Sequence, residues 1–327
     1  MKIYKFLFFI LVSISLLFTI SCTAIQEPTQ TLDQPTGTLK GVSLSPKSYS
    51  ETDFTEFFET AQQTGDVILW AGDWNELEEG APKVVAELAT VYDYTPIIEV
   101  GHYIQSSGEL IRPFSEENKQ IYMDSTIEFV KKYHPEYFGI GVEINIFAEK
   151  NPEAFDEFVI FYNEVYGEVK EVSPDIKVFT VFQLENMKGL TMWELEEAKP
   201  HWEMIDLFKS DLVAFTTYPG LFYRDVSDIP EDHYTEIQLH TTKPIAFTEM
   251  GWHSAASPLG WESSEEEQAE FISTFFQFTE NLELELVIWS FMYSPDIFEP
   301  FDSMGLIKTD GTTKLSWDAW LEGGENE

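Results

Sequence analysis

The 327-residue chain is poor in the residues that build most metal and redox sites. Its one cysteine is Cys22, and its two arginines are Arg112 and Arg224. A lone cysteine excludes an internal disulfide and a cysteine-built metal centre. The six histidines are scattered. No His-x-x-x-His pair is present to hold zinc on one helix face, so no metal is expected. There is no Gly-x-Ser-x-Gly elbow and no Walker loop. Positive charge is scarce too: 19 basic residues face 58 acidic ones, for a formal net charge of −39. Such a surface repels nucleic acid and anionic headgroups, and it disfavours acidic polysaccharides unless a local basic cleft intervenes. The plain reading of most of this charge is a well-solvated surface. No cofactor and no nucleic-acid partner are expected, and the chain is read as a monomer.

The one long apolar run lies at the start. Lys2 and Lys5 precede an apolar stretch from Phe6 to Ile20, which ends at Ser21-Cys22. Its length and flanks read as a secretory signal rather than a membrane span. A small residue before a cysteine resembles a bacterial-type lipobox, although Thr19 departs from the aliphatic residue usual three places before the cysteine. The resemblance implies a signal over residues 1–21, lipidation of Cys22, and a lipoprotein facing the cell exterior or periplasm. The alternative is an ordinary cleaved signal with an unpaired cysteine. Residues 22–37 are polar, contain Pro and Thr, and lack an apolar period, so they read as a flexible tether.

The remaining residues, 38–323, have the usual size of one (β/α)8 barrel. Short Val/Ile/Phe-rich runs, almost free of internal charge, alternate with amphipathic segments. Strands are predicted at Leu39–Ser43, Val67–Trp70, Pro96–Val100, Tyr137–Glu143, Lys177–Gln183, Leu212–Thr217, Pro244–Thr248 and Leu286–Ser290. Charge-free runs of this length suit parallel strands buried on both faces. The clearest helix is predicted after Asn151-Pro152, where Pro is tolerated in the first turn, and runs to Ser173-Pro174. Ser115 and the Ser263-Ser264-Glu265 segment mark two further helix starts. The alternation predicts an α/β fold, a closed (β/α)8 (TIM) barrel in one domain. An open doubly wound sheet is the rival, but Ser43-Leu44-Ser45-Pro46 after strand 1 carries no glycine-rich phosphate loop.

Barrel active sites lie at the C-terminal ends of the strands. There the sequence places Trp70, Asp73 and Trp74 (strand 2), Glu99 and His102 (strand 3), and Glu143 and Asn145 (strand 4). Gln183 and Glu185 follow strand 5, Tyr218 strand 6, Glu249 and Trp252 strand 7, and Trp289 ends strand 8. Carboxylates and amides bond hydroxyls, and aromatic rings stack on the apolar faces of sugars. Asp73, Glu99 and Glu185 read more simply as polar loop residues, and the tryptophans equally as barrel-top core.

Two motifs carry the chemistry: Gly141-Val142-Glu143-Ile144-Asn145 and Thr248-Glu249-Met250-Gly251-Trp252. With Tyr218 and Trp289 they resemble a clan-A glycoside hydrolase, endo-galactanases and mannanases most nearly. The resemblance implies Glu143 as acid/base at the end of strand 4 and Glu249 as nucleophile at the end of strand 7. It implies a tyrosine beside the nucleophile, a tryptophan under the sugar, and retaining cleavage of a β-linked poly- or oligosaccharide. Substrate contacts are expected from Trp70, Asp73, Trp74, His102, Asn145, Gln183, Tyr218, Trp252 and Trp289. One position departs from the pattern: the clan usually has Asn before the acid/base, and this chain has Val142. The plain alternative for each glutamate is a carboxylate held by Arg or Lys, and for the whole chain a non-catalytic carbohydrate binder on the same fold.

Overall fold

The computed structural model describes residues 37–192, 199–258 and 260–323. The signal, Cys22 and the tether up to residue 36 lie outside the described residues. Parallel strands form one sheet: β1 Leu39–Ser43, β2 Val67–Asp73, β3 Thr95–Gly101, β4 Tyr137–Ile140, β5, β6 Val213–Thr217, β7 Ile245–Met250 and β8 Leu284–Trp289. Strand β5 is split by Thr180 into Lys177–Phe179, which pairs with β4, and Val181–Gln183, which pairs with β6. β1 pairs with both β2 and β8, so the ring closes around all eight strands. The expected barrel is observed.

Side chains alternate across the ring. Leu39, Leu69, Ile97, Tyr137, Val181, Ala246 and Ile288 pack together inside the barrel. Their neighbours Val42, Ile68, Ile98, Phe138, Phe215, Phe247 and Trp289 belong to the layer that includes the helices. Each buried aromatic or aliphatic side chain in these layers stabilises the fold by about 1.5–3 kcal/mol. The most confined backbone position is Gly41 in β1, where a Cβ would lie 1.9 Å from the Val67 carbonyl oxygen.

Helices α1 Glu51–Ala61, α2 Ala81–Tyr92, α3 Glu116–Tyr133, α4 Ile144–Lys150, α5 Pro152–Val172, α6 Leu184–Met187, α7 Glu265–Thr279 and α8 Leu315–Glu322 fill the crossovers. Ser50, Ser115, Asn151 and Ser264 cap α1, α3, α5 and α7, each side chain accepting a backbone N–H of the first turn. These oxygens satisfy donors that the helix itself leaves free.

Two expectations are corrected. Strand β4 stops at Ile140, not Glu143, because Gly141 takes φ +84° and Glu143 takes φ +54°, turning the chain into α4. The crossover after β6 carries 3-10 turns at Pro219–Leu221, Val226–Asp228 and Thr235–Leu239 rather than a regular helix. Pro230, between the second and third turns, has no N–H to continue an α-helical ladder there.

Candidate active site

Glu143 is presented from a strained backbone. A side chain on Gly141 would meet Ile144 and Phe158 at 2.7 and 2.8 Å, so the turn needs glycine. Glu143 follows in the left-handed region, which costs a non-glycine residue about 1–3 kcal/mol. The turn is held by its own carbonyl, which accepts from the Tyr103 hydroxyl at 2.6 Å and the Ile146 N–H at 2.9 Å. Strain maintained in this way is common at functional sites.

Glu249 arrives by a different device. Strand β7 carries an irregularity: Phe247 pairs with Phe215, but Glu249 pairs with the very next residue of β6, Thr216. The extra residue is Thr248. It resets the alternation, so Glu249 shares the inward face of Thr216. The Thr216 hydroxyl donates to Glu143 Oε1 at 2.7 Å. Thr216 therefore bonds the Glu143 carboxyl and is the register partner of Glu249. The Tyr218 hydroxyl donates to Glu249 Oε2 at 2.6 Å and lies 2.8 Å from Ser290 Oγ.

The environment raises the pKa of both carboxyls. Burial, then the Glu249 charge, pushes Glu143 up to about 7, while the Thr216 bond pulls it down. Burial raises Glu249, opposed by the Tyr218 bond. Burial first and the Glu249 charge second hold Tyr218 well above the usual phenol range, so it remains a donor. Neither glutamate is tied to an arginine: Arg112 grips Asp73 at 2.6 Å and Arg224 lies over Trp261.

A third carboxyl lies inside the barrel. Glu99 of β3 is fully buried, pairs across to Gly139 of β4, and makes no hydrogen bond at either oxygen. Gly139 gives it room; a Cβ there would sit 2.7 Å from Glu99 Cγ. Burial, then the nearby Glu249 charge, raises its pKa well above the usual range, with a weak opposing pull from Thr248. Its inward position follows only from strand parity, while its charge near a strand end points instead to a polar loop residue. Thr216 and Ser290 also lacked a sequence signal, being small hydroxyls whose role depends on register.

Among the expected substrate contacts, Trp70 joins Glu249, Ser43, Leu69, Ser290 and Phe291 around a cavity of about 200 Å³. Tyr218 lies against Glu249 as described. The others have partners within the protein. Asp73 accepts from Asn75 N–H and binds Arg112, which lies over buried Trp74. His102 is stacked 4.0 Å from Phe158, and burial drives its pKa to about 3, so it is neutral packing. Asn145 clamps the Gln183 backbone from both sides, accepting from its N–H and donating to its carbonyl, and also bonds Asn186. Gln183 itself accepts from Asn186 N–H and donates to Glu185. Trp252 is fully buried against Phe271. Trp289 points outward toward Trp320 and donates to the Met304 carbonyl at 2.9 Å; Ser290, one residue on, faces the site instead. Glu185 sits behind the site, fully buried, accepting from Thr217 at 2.6 Å and bonded to His233 at 3.2 Å. Among the described residues, no group of acidic, histidine or cysteine side chains could hold a metal ion.

No family model matches the sequence, and no curated protein matches it. Solved structures do share the fold. A family 39 glycoside hydrolase from the gut symbiont Bacteroides cellulosilyticus WH2 superposes with TM-score 0.61 at 17% identity, over 86% of this chain and 62% of that one. β-Glucuronidase 2 of Bacteroides uniformis gives 0.60 at 16%, over 89% and 35%. The exo-β-1,4-mannosidase of Opitutaceae bacterium strain TAV5 gives 0.61 at 13%, over 86% and 58%. The chain thus spans from about a third to under two thirds of these neighbours. At such identities the likeness establishes the architecture: a (β/α)8 barrel of the kind that glycoside hydrolases use.

Proposed function

We propose that this barrel is a glycoside hydrolase that cleaves neutral β-linked oligo- or polysaccharides with retention, acting within chains. The observation that carries the reading is that Glu143 and Glu249, at the ends of β4 and β7, lie near enough for the Glu249 charge to raise Glu143, with Thr216 bonding one and pairing in register with the other. Glu249, ionised, attacks the anomeric carbon. Glu143, protonated, gives its proton to the leaving oxygen. Forming the glycosyl ester removes the Glu249 charge, which lowers the Glu143 pKa so that it can deprotonate water in the second step. A retaining pair has carboxyls about 5–5.5 Å apart, whereas inversion needs about 6.5–9.5 Å. Neutral sugars are favoured because, among the described residues, no lysine or arginine lines the cavity around Glu249. A uronic-acid carboxylate would meet Glu249 there without a basic partner.

The test is a hydrolysis panel of neutral β-glycans and β-uronides, with the first-formed anomer followed by NMR. A first product of α configuration, or cleavage confined to uronides, would overturn the proposal.

Val142 supports a second reading, a sugar-binding protein without turnover. It is buried where the clan carries an amide for the 2-hydroxyl, and Asn145 is fully engaged by β5 and Asn186. That contact supplies several kcal/mol in the transition state elsewhere. Binding without cleavage across the panel selects this reading.

Export as a lipoprotein on Cys22, with residues 22–37 as tether and 38–323 as the barrel, completes the proposal. The membrane would be a partner through the lipid alone.

A further inference from the structure

We propose that Tyr49 forms a stacking wall for a second sugar ring, on the far side of the attacked ring from Glu143; this rests on the glycosidase reading above. The cavity beside Glu249 is lined from β1, β2, β7 and β8 and their following loops, and Tyr49 is part of that lining. Glu143, from β4, is not. In a double displacement the leaving group departs on the acid/base side, and the ring that becomes covalently attached sits over the nucleophile. A cavity that includes Glu249 and excludes Glu143 therefore extends toward the sugars retained on the enzyme.

Tyr49 is the unusual member of the lining. It is 80% exposed. Exposure of that degree on a slack loop would mean little, but this loop is fixed at both ends. Leu44 N–H donates to the Leu69 carbonyl at 2.7 Å, and Ser45 Oγ accepts from Met292 N–H at 2.7 Å. On the other side of Tyr49, Ser50 caps α1 and its N–H donates to Ser48 Oγ at 3.2 Å, while Ser48 donates to Asp53. Lys47 is held by Glu56 at 2.7 Å and lies 5.3 Å above the Tyr293 ring. Ser45, Lys47, Ser48 and Ser50 are thus held by the protein, while the Tyr49 ring is exposed at the cavity. Among the described residues its ring neighbour is Phe54, 6.4 Å away at 37°, and the ring stays largely open to solvent. A pinned loop that displays an uncovered aromatic beside a cavity fits a ligand with an apolar face and hydroxyl edges. A neutral pyranose ring has that chemistry.

Calorimetric titration in a Glu249→Gln background separates this proposal from the catalytic one, because no substrate is consumed. The probes are β-1,4-mannotriose, β-1,4-galactotriose and cellotriose, each against its methyl β-monoglycoside. At least one trisaccharide is expected to bind more tightly than its monoglycoside. Tyr49→Ala should weaken that trisaccharide about tenfold, as expected for uncovering roughly 50 Å² of apolar surface. It should weaken the monoglycoside much less, and Tyr49→Phe should restore trisaccharide affinity. Equal losses for both ligands, no loss, or no trisaccharide binding to the parent would each overturn the subsite. If wild type hydrolyses none of these sugars but the tyrosine dependence holds, the subsite stands and the catalytic reading falls.

Discussion

Removing a single hydroxyl should move one limb of the pH–rate profile and leave the other in place. Activity needs Glu249 ionised and Glu143 protonated. The acid limb therefore follows Glu249, whose pKa lies above the usual 4.5, and the alkaline limb follows Glu143, near 7. Tyr218 donates to the Glu249 carboxylate at 2.6 Å and so favours the ionised form. A hydrogen bond to a charged group contributes about 1.5–3 kcal/mol, and one pKa unit is about 1.4 kcal/mol, so its loss corresponds to roughly one to two units. Tyr218→Phe should raise the acid limb by that amount, toward the alkaline limb, and the bell should narrow and lose height. Thr216→Val removes the donor at 2.7 Å from Glu143, so the alkaline limb alone should rise, by about one unit. The assay is kcat/KM against pH on the best oligosaccharide of the panel, since aryl glycosides need little acid assistance. The two limbs belong to a coupled pair, so the direction of each movement is the decisive reading. An acid limb that stays put in Tyr218→Phe, or an alkaline limb that falls in Thr216→Val, would refute the assignment.

Three further outcomes are expected. Glu99 has a folded pKa above its usual 4.5, so the native state holds its proton more tightly, and its contribution to stability is lost as pH rises from about 4.5 toward the folded value. The stability gained by Glu99→Gln should therefore grow between pH 4 and pH 7.5 in urea titrations, and a pH-independent difference would contradict the buried-acid reading. Glu143→Gln should slow oligosaccharide cleavage about 10²–10⁴-fold and aryl glycosides far less, a contrast read from paired kcat values. Mass spectrometry of the mature N-terminus should find acylated Cys22; an unmodified terminus at another residue would make the protein a free secreted form.

The barrel was legible because parallel strands buried on both faces leave charge-free runs of fixed length, and because Ser115, Asn151 and Ser264 mark helix starts chemically. The places of Glu143 and Glu249 at strand ends were legible for a related reason: each is a carboxylate at the edge of an apolar run. What the sequence hid was direction. Trp289 sits at the end of a strand, where a sugar platform is expected, yet its parity turns it into the helix layer and leaves Ser290 facing the site. Glu99 was hidden by the same one-residue rule in the opposite sense. Asn145 and Gln183 are amides at the right strand ends, but they satisfy each other and the backbone of β5. The extra residue at Thr248, on which the orientation of Glu249 depends, leaves no mark in composition or periodicity.

The central claim is that Glu249 becomes covalently bonded to the sugar. Incubation with 2,4-dinitrophenyl 2-deoxy-2-fluoro β-glycosides of the manno, galacto and gluco series should trap that ester, and peptide mapping by mass spectrometry should place it on Glu249. An adduct on a different residue, or no adduct from an enzyme that turns over the matching glycoside, would contradict the account.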